Sequence, residues 1–487
     1  MACPGRRAAK NKNSDSMARN HSSIMATPEA NTIALTILTL VTVLPLFVFG
    51  EKLAANQGFG FDGVFFGPMA ADFYGALKEI SQYRLQRLLP SAILYHFYWT
   101  FGIPFTAESI VTGYVLLNVA ALAGGIFIWG RIADHLGMSQ PAKWLGGVAL
   151  VANFASLKML SYYPVLMDGS AFLLGLMALH SWLRGRTLFL HVITLITVFA
   201  WQTAWIFCVP LLVFGRRERA ASGEGNRMLA AAAGGLSAIV FVGVLLMHPA
   251  IRSSPAILIE PYTAISLCVA CAWLAFGVRE LVLAFQMRSV VQDLHRTLIN
   301  CGAAVFTVAV IALILNKTPS AADEYSMSFA QQLPDLLSRA IQRPGIFALC
   351  LVIYFGPVAA LALWRWRSVS RLAASMGPGM PIFLGMSLAM ALNSESRHLV
   401  FAFPFVVALT IKVLDARPIA PATVLWFLAL SLALSRVWLP IGNPPGTAYW
   451  MNFGPWWNSA VYFMNLILAV GASVIAILMF RPKLPGR

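Results

Sequence analysis

Apolar segments of about 20 residues recur along the chain from Ile33 almost to its C-terminus, with short polar stretches between them. A helix of this length crosses the roughly 30 Å hydrocarbon layer of a membrane, and it satisfies its own backbone hydrogen bonds where no water is present. The pattern therefore predicts an all-α, multi-pass membrane bundle of about twelve spans. The predicted spans are residues 31–50, 110–130, 144–160, 166–183, 228–247, 257–286, 297–315, 344–364, 379–394, 398–414, 419–436 and 458–480.

The apolar segment 187–215 differs from the others because arginines flank it on both sides. Arg184 and Arg186 precede it, and Arg216 follows it. Basic residues collect in the cytoplasmic loops of membrane proteins. Both ends of this segment are therefore expected on the same side of the membrane, and we predict a short hairpin that turns near Trp201.

The composition agrees with a membrane protein, since 59% of the 487 residues are hydrophobic and only 11% are charged. Typical soluble domains carry about 25% charged residues. Residues 1–30 are polar and basic, and we interpret them as a disordered cytoplasmic tail. Residues 31–487 are predicted to form a single transmembrane helical domain, with a long outer loop at residues 51–109.

The formal net charge of +16 is explained by membrane topology and gives no support for a nucleic-acid partner. With the N-terminus in the cytoplasm, about two thirds of the 35 Lys and Arg residues fall in inner loops, as the positive-inside rule requires. We therefore expect a protein of a bacterial inner (plasma) membrane, in contact with its lipids and with both termini cytoplasmic.

The first loop carries many ionisable residues for so apolar a chain, in the stretch GFGFDGVFFGPMAADFYGALKEISQYRLQRLLP. Asp62 is expected near the membrane exit, where a charge is costly unless it is paired or used. Arg84 and Arg87 are three residues apart, so on a helix they would share a face and could hold a phosphate. An acid beside two arginines suits transfer chemistry on a phosphate-linked substrate. A helix cap for Asp62, and arginines that reach towards lipid headgroups, stay open as structural alternatives.

Two later segments bring further polar groups to the same predicted face. Asp168 heads the fourth predicted span, where it serves either the chemistry or the helix N-terminus. The stretch NSESRHLV contains Glu395, Arg397 and His398, for which an interfacial ion pair is favoured over catalysis. The aromatic residues within 438–457 are interpreted as a membrane-interface belt, with sugar stacking as the alternative.

The cysteines offer little additional chemistry. Cys268 and Cys271, in the stretch CVAC, would share a helical face inside a predicted span. No neighbouring His or further Cys completes a set of metal ligands. Packing inside the membrane is therefore favoured over a redox or metal site.

The order of these features resembles the GT-C superfamily of membrane glycosyltransferases. The resemblance rests on FDGVFF followed by YRLQRLLP, on the Asp-headed run YYPVLMDGSAFLLGLMALHSWLRGR, and more loosely on SESRHLVFAFPF. It covers residues 62–186 and, loosely, 394–405. It implies an inverting transferase that takes a sugar from a polyprenyl-phosphate donor and works on the outer face of the membrane.

The resemblance also assigns roles to individual residues. Asp62 matches the first-loop acid that acts as general base or orients the acceptor, and Asp168 matches a second acid. Arg84 and Arg87 match the basic pair near the donor phosphate. Arg397 is a looser match for a phosphate contact late in the chain.

This sequence departs from the family pattern in two places. Gly63 follows Asp62 where such enzymes carry an adjacent acid, so no metal site is assigned and a divalent metal stays open as a cofactor. No sizeable C-terminal soluble domain is present, which argues against members that resemble oligosaccharyltransferase.

The predicted function is therefore a glycosyltransferase that transfers a hexosyl or pentosyl group. A transporter or flippase of a small solute or lipid-linked intermediate is the alternative, because many spans with scattered charges also fit it, although no internal repeat supports it. An assembly role in polymer export is the third hypothesis.

Overall fold

The structure is a computed structural model, and it describes residues 28–216, 225–285, 294–317, 329–441 and 454–481. Within these ranges the chain is mostly helical and contains no β-strand, which confirms the predicted all-α bundle. Most of the predicted tail and most of the predicted aromatic belt lie outside the described residues.

The helices are joined by short turns, several of them 3₁₀ in form. The longer helices, in chain order, are α1 (Pro28–Phe49), α2 (Gly63–Ala71), α3 (Leu89–Phe101), α4 (Ala107–His135), α5 (Gln140–Val151), α6 (Asp168–Leu183), α7 (Thr187–Thr197), α8 (Ala204–Val213), α9 (Arg227–Leu245), α10 (Pro261–Ala284), α11 (Leu294–Lys317), α12 (Phe329–Ser338), α13 (Ile346–Phe355), α14 (Pro357–Trp364), α15 (Trp366–Ser375), α16 (Gly379–Met390), α17 (Phe403–Leu414), α18 (Pro421–Ser435) and α19 (Ser459–Met479).

Six helices of the described part are long and apolar enough to cross a membrane, namely α1, α4, α9, α10, α11 and α19. Two bent pairs raise the number to eight if each pair is one span. One pair is α5 with Phe154–Tyr162, bent by 50°, and the other is Gln332–Ile341 with α13, bent by 95°. The chain is thus a multi-pass membrane protein, but the prediction of about twelve spans is too high for the described residues.

The count is lower because several apolar segments break into helices shorter than a membrane is thick. Helices α16 and α17 have 12 residues each, which at 1.5 Å per residue makes them about 18 Å long. In the predicted span 344–364, α13 ends before Gly356, whose φ of 79° favours glycine. Pro357 then begins α14. The apolar composition of a segment does not by itself reveal such breaks.

Segment 187–215 forms the predicted hairpin. Helices α7 and α8 pack against each other, and the chain turns between them. Within the turn, the Trp201 amide donates to the Thr197 carbonyl at 2.8 Å, and the Ala204 amide donates to the Trp201 carbonyl at 2.9 Å. Each helix is only about 15–17 Å long, and Trp201 is 1% exposed. The hairpin therefore ends inside the protein, where its turn can contribute to a site.

At one end of the bundle, here called the first-loop end, residues 51–106 fold into α2, α3 and short turns. Two backbone hydrogen bonds of 2.8 Å attach this loop to the rest of the protein. The Leu53 amide donates to the Tyr162 carbonyl, and the Leu89 amide donates to the Phe199 carbonyl in the hairpin turn. The predicted outer loop is thus a packed helical layer over the bundle.

At the opposite end, basic residues pair with the ends of neighbouring helices. Arg131 lies 3.1 Å from Glu29 at the start of α1. The Lys412 ammonium at the end of α17 donates to the Gly137 carbonyl at 3.1 Å. The predicted inner residues thus meet at one end, while the orientation of that end in the cell stays a prediction.

Close packing seats the late polar segment on α6. A Cβ atom on Gly175 of α6 would lie 2.3 Å from the carbonyl oxygen of Phe401, so only a glycine allows this approach. Just before α6, the Asn118 amide donates to the Pro164 carbonyl at 2.8 Å. These contacts bring Arg397 over the first turn of α6.

Candidate functional site

Four residues singled out in the sequence meet at the first-loop end. Arg397 Nη1 lies 3.9 Å from Asp62 Oδ2, and Arg397 Nη2 lies 3.5 Å from Asp168 Oδ2. Arg87 Nη1 lies 3.6 Å from the same Asp62 oxygen. Three segments far apart in the chain therefore form one group, here called the ionic cluster (Asp62, Arg87, Asp168 and Arg397).

The members of the ionic cluster differ sharply in exposure. The side chains of Asp168, Arg87 and Arg397 are 2%, 7% and 9% exposed, whereas that of Asp62 is 47% exposed. Buried charges are tolerated only when they are paired. A ligand that enters from the first-loop end would meet Asp62 before the two arginines.

A tight glycine turn positions Asp62. Gly60 has a φ of 70°, and a Cβ atom there would lie 2.4 Å from the Tyr163 ring. The Gly63 amide donates to the Tyr163 hydroxyl at 3.1 Å. Asp62 stands directly before α2, but its side chain makes no capping hydrogen bond. The geometry therefore favours pairing with the arginines over the capping alternative.

Arg87 and Arg84 have different neighbours, although the sequence predicted that they share a helical face. The short helix that holds Arg84 ends at Leu85, so Arg87 lies outside it. Arg87 Nη2 donates to the Tyr83 hydroxyl at 2.7 Å. The Arg84 guanidinium instead stacks 3.0 Å from the centre of the Phe65 ring.

Asp168 occupies the first turn of α6, where a carboxylate favours the helix N-terminus. Its pairing with Arg397 adds a second role, because the carboxylate is buried and no hydrogen bond reaches either of its oxygens among the described residues. Asp168 therefore combines a helix N-terminal position with an ion pair to Arg397, and its role in the chemistry stays a prediction.

Glu395 extends the cluster away from Asp62. Its carboxylate lies 2.9 Å from Arg339, 3.8 Å from Arg397 and 3.7 Å from the His398 ring nitrogen. Burial alone would raise the pKa of Glu395, but the nearby His398, Arg397 and Arg339 outweigh it and hold that pKa well below its usual range. Burial likewise works against the charge of Arg397, whereas the surrounding carboxylates raise its pKa. Both groups are therefore held in their charged forms.

Trp201 is a site residue that the sequence did not single out for chemistry. The guanidinium carbons of Arg87 and Arg397 both lie 5.6 Å from the centre of its ring, and the His398 ring lies 5.9 Å away. A tryptophan face attracts such cations, more strongly when water is excluded. The predicted hairpin could have indicated this role for Trp201, because it placed a tryptophan at the tip of a segment that does not cross the membrane.

An apolar groove with a volume of about 630 Å³ lies next to the hairpin turn. Its walls come from α8, α9, α10, α12 and α16. Thr203, Ser237 and Asn393 are its polar lining residues, and the remainder is almost wholly aliphatic or aromatic. A hydrocarbon chain is the kind of ligand that such a surface accepts.

No group of three or more His, Cys, Asp or Glu side chains in the described ranges is arranged to hold a metal ion. Asp62 and Asp168 each face Arg397 at less than 4 Å. The residues present therefore fit a bound anion or a hydroxyl group better than a cation.

Comparison of the chain with protein-family models, with curated proteins and with solved structures finds no match.

Proposed function

We propose that this protein is a glycosyltransferase that moves a sugar from a polyprenyl-phosphate donor to an acceptor hydroxyl at the first-loop end of the bundle. The observation that carries the proposal is the contact of Arg87 and Arg397 with the same Asp62 oxygen, at 3.6 and 3.9 Å. An acid and two arginines at one point match the needs of transfer from a phosphate. The resemblance of the first loop to the GT-C superfamily supports the same function.

The donor would lie partly in the apolar groove and partly on the arginines. Part of its hydrocarbon chain would lie in the 630 Å³ apolar space, and its phosphate would reach Arg87 and Arg397. The walls of the groove include Leu236 and Val240 of α9, which are 60% and 55% exposed. A lipid could therefore enter sideways from the membrane without passing through water.

In the proposed reaction, the acceptor oxygen attacks the anomeric carbon of the donor while Asp62 takes the acceptor proton. The bond between that carbon and the phosphate oxygen breaks. The products are the glycosylated acceptor and polyprenyl phosphate. Such a single displacement inverts the anomeric centre, as the family resemblance implies.

The shared oxygen of Asp62 couples the two halves of this reaction. A donor phosphodiester carries one negative charge, and the departing phosphate gains a second. When Asp62 takes the proton, its own charge disappears and Arg87 and Arg397 lose a carboxylate partner. Their attraction then passes to the phosphate as its charge grows, which stabilises the transition state more than the bound donor.

The test is transfer of labelled sugar from polyprenyl-phosphate donors by purified protein in nanodiscs, with envelope glycans as acceptors. Asp62→Asn should lower kcat by at least about a hundredfold, within the range that general-base catalysis supplies. Asp72→Asn is the matched control, because Asp72 lies in the same loop. Within the described residues, its carboxylate accepts a hydrogen bond only from the Gly75 amide, at 3.0 Å. Equal turnover in both variants would refute the assignment of Asp62.

The transporter hypothesis has a separate outcome in the same preparation. Counterflow of a solute in liposomes, combined with no transfer from any lipid donor, would replace the transferase proposal. Sugar transfer in the wild type and its loss in Asp62→Asn would support it.

A further inference from the structure

The end of the apolar groove near the hairpin turn contains two polar side chains, Thr203 and Asn393, each with one buried atom that has no hydrogen-bond partner among the described residues. Ser237 lines the same groove, but its hydroxyl donates to the Gly234 carbonyl at 2.7 Å. Thr203 and Asn393 are 5% and 1% exposed, and neither Thr203 Oγ1 nor Asn393 Nδ2 has a hydrogen-bond partner within the described ranges. A buried polar group without a partner is costly. Two such groups on a groove wall therefore suggest a ligand that supplies the missing hydrogen bonds.

Two short chains of contacts join these side chains to the ionic cluster. Thr203 follows Trp201 by two residues, and the Trp201 ring lies 5.6 Å from the guanidinium of Arg397. Asn393 uses its Oδ1 atom to accept a hydrogen bond from the Glu395 amide at 3.2 Å. Glu395 in turn lies 3.8 Å from Arg397. The polar end of the groove is therefore the end that borders the arginines.

We propose that Thr203 and Asn393 form a collar that hydrogen-bonds the phosphate of a single-chain lipid, and so fixes how far the head of that lipid reaches towards Arg87 and Arg397. Both Nδ2–H and Oγ1–H are donors, which suits an anionic phosphate oxygen. The apolar groove supplies the space for the chain. This inference rests on the proposed function for the identity of the lipid, and it makes the collar a pair of positioning residues.

The hydroxyl and the amide can each be altered with little change of shape. Thr203→Val removes the hydroxyl and keeps the branched side chain. Asn393→Asp keeps the oxygen that accepts from the Glu395 amide and replaces the donor by a charged oxygen, which repels phosphate. Ser237→Ala is the matched control, because its hydroxyl already has a partner in the same groove.

The experiment measures binding by native mass spectrometry and by tryptophan fluorescence, with the full chain in nanodiscs. The probes are polyprenyl phosphate, polyprenol of the same chain length and inorganic phosphate. Both collar variants should weaken the binding of polyprenyl phosphate by about tenfold to a hundredfold, as expected for hydrogen bonds to a charged group. Their affinity for polyprenol should fall much less, because a hydrogen bond to its neutral hydroxyl is weaker than one to a charged phosphate. Ser237→Ala should bind all three probes like the wild type.

Several results would overturn the collar. One is unchanged binding of polyprenyl phosphate in both variants. Another is an equal loss of polyprenol binding, which would show that the substitutions damage the groove itself. Tight, collar-dependent binding of inorganic phosphate alone would assign the site to a free anion and refute the lipid ligand. Because these measurements need no turnover, absence of sugar transfer would refute the proposed function while phosphate-dependent lipid binding would still support the collar.

Discussion

Removal of Arg397 is the most informative single perturbation of the ionic cluster. Its guanidinium faces three carboxylates, those of Asp62, Asp168 and Glu395, at 3.5–3.9 Å. Asp62 and Glu395 each keep another arginine within 4 Å. Asp168 is 2% exposed and has no other ion-pair partner among the described residues. Arg397→Met should therefore leave the buried carboxylate of Asp168 without an ion-pair partner within 4 Å among the described residues.

The expected loss of stability follows from the desolvation of the Asp168 carboxylate. Removal of one partner from a buried ion pair destabilises proteins by about 3–5 kcal/mol, whereas replacement of both partners by apolar residues of similar size is often neutral. Arg397→Met alone is expected to lower the free energy of unfolding by about 3–5 kcal/mol. Arg397→Met combined with Asp168→Leu should recover most of that loss, with a coupling energy of about 2 kcal/mol or more.

The assay is equilibrium unfolding in mixed micelles, followed by tryptophan fluorescence. Arg252→Met is the control, because Arg252 is exposed and a surface substitution changes the free energy of unfolding by less than about 0.5 kcal/mol. If Arg397→Met is as stable as that control, the cluster is not a desolvated ion-pair group. If the double variant is less stable than Arg397→Met, the assignment of Asp168 as the unpaired charge is wrong.

Two further predictions concern the neighbours of the cluster. The pKa of Glu395 is held below its usual value, so its ionised form stabilises the folded protein above the ordinary carboxyl pKa of 4.5. This contribution is lost as the pH falls through the lower pKa of the folded state. The difference in free energy of unfolding between wild type and Glu395→Gln should therefore persist at about pH 5 and shrink only below 4.5. Trp201→Phe keeps an aromatic face for both arginines and should lower the free energy of unfolding by less than about 2 kcal/mol. Trp201→Ala should lower it by about 3–5 kcal/mol, because it leaves a cavity and removes the cation–π contacts. Equal losses of stability in thermal unfolding would rule out a role for the ring face.

The polar members of the site could be predicted because a charge is expensive inside an apolar chain. Asp62 and Arg87 lie in the predicted outer loop, Asp168 heads a predicted span and Arg397 directly precedes another, and the topology put all four on one face. The structure brings them into contact. Their roles in binding or catalysis stay predictions, because contact alone does not identify a substrate.

Other features depend on tertiary packing or on helix breaks that the hydropathy pattern does not record. Arg84 and Arg87 have helical spacing, but the helix that holds Arg84 stops at Leu85, and the Arg84 guanidinium stacks on Phe65 while Arg87 contacts Tyr83 and Asp62. The number of spans was overestimated because breaks such as the one at Gly356 leave hydropathy unchanged. Trp201 contacts the cluster because the hairpin turn lies next to both arginines. The arginines that flank the hairpin in the sequence do not indicate how deep its turn lies in the protein.

The route between the ionic cluster and the opposite end bears on the choice between transferase and transporter. Helices α8, α16 and α17 all lead away from the cluster, and four buried phenylalanines fill the space between them. Phe383 stacks on Phe405 with ring centres 4.1 Å apart, and Phe207 lies 5.5 Å from Phe383 and 6.5 Å from Phe401. A solute passing between these three helices would have to move the rings apart, which would give up close-packed aromatic contacts.

If the site serves sugar transfer, Asp62 should be reachable from one side of the membrane only. In a variant whose six native cysteines are replaced, Asp62→Cys should react with a membrane-impermeant maleimide from the first-loop side and not from the other. Addition of a polyprenyl-phosphate sugar should slow that labelling without exposing the cysteine to the opposite side, because a transferase needs access for donor and acceptor but no passage. Labelling that switches sides when a ligand is added is the behaviour of alternating access, and it would contradict the transferase proposal even if the ionic cluster binds phosphate.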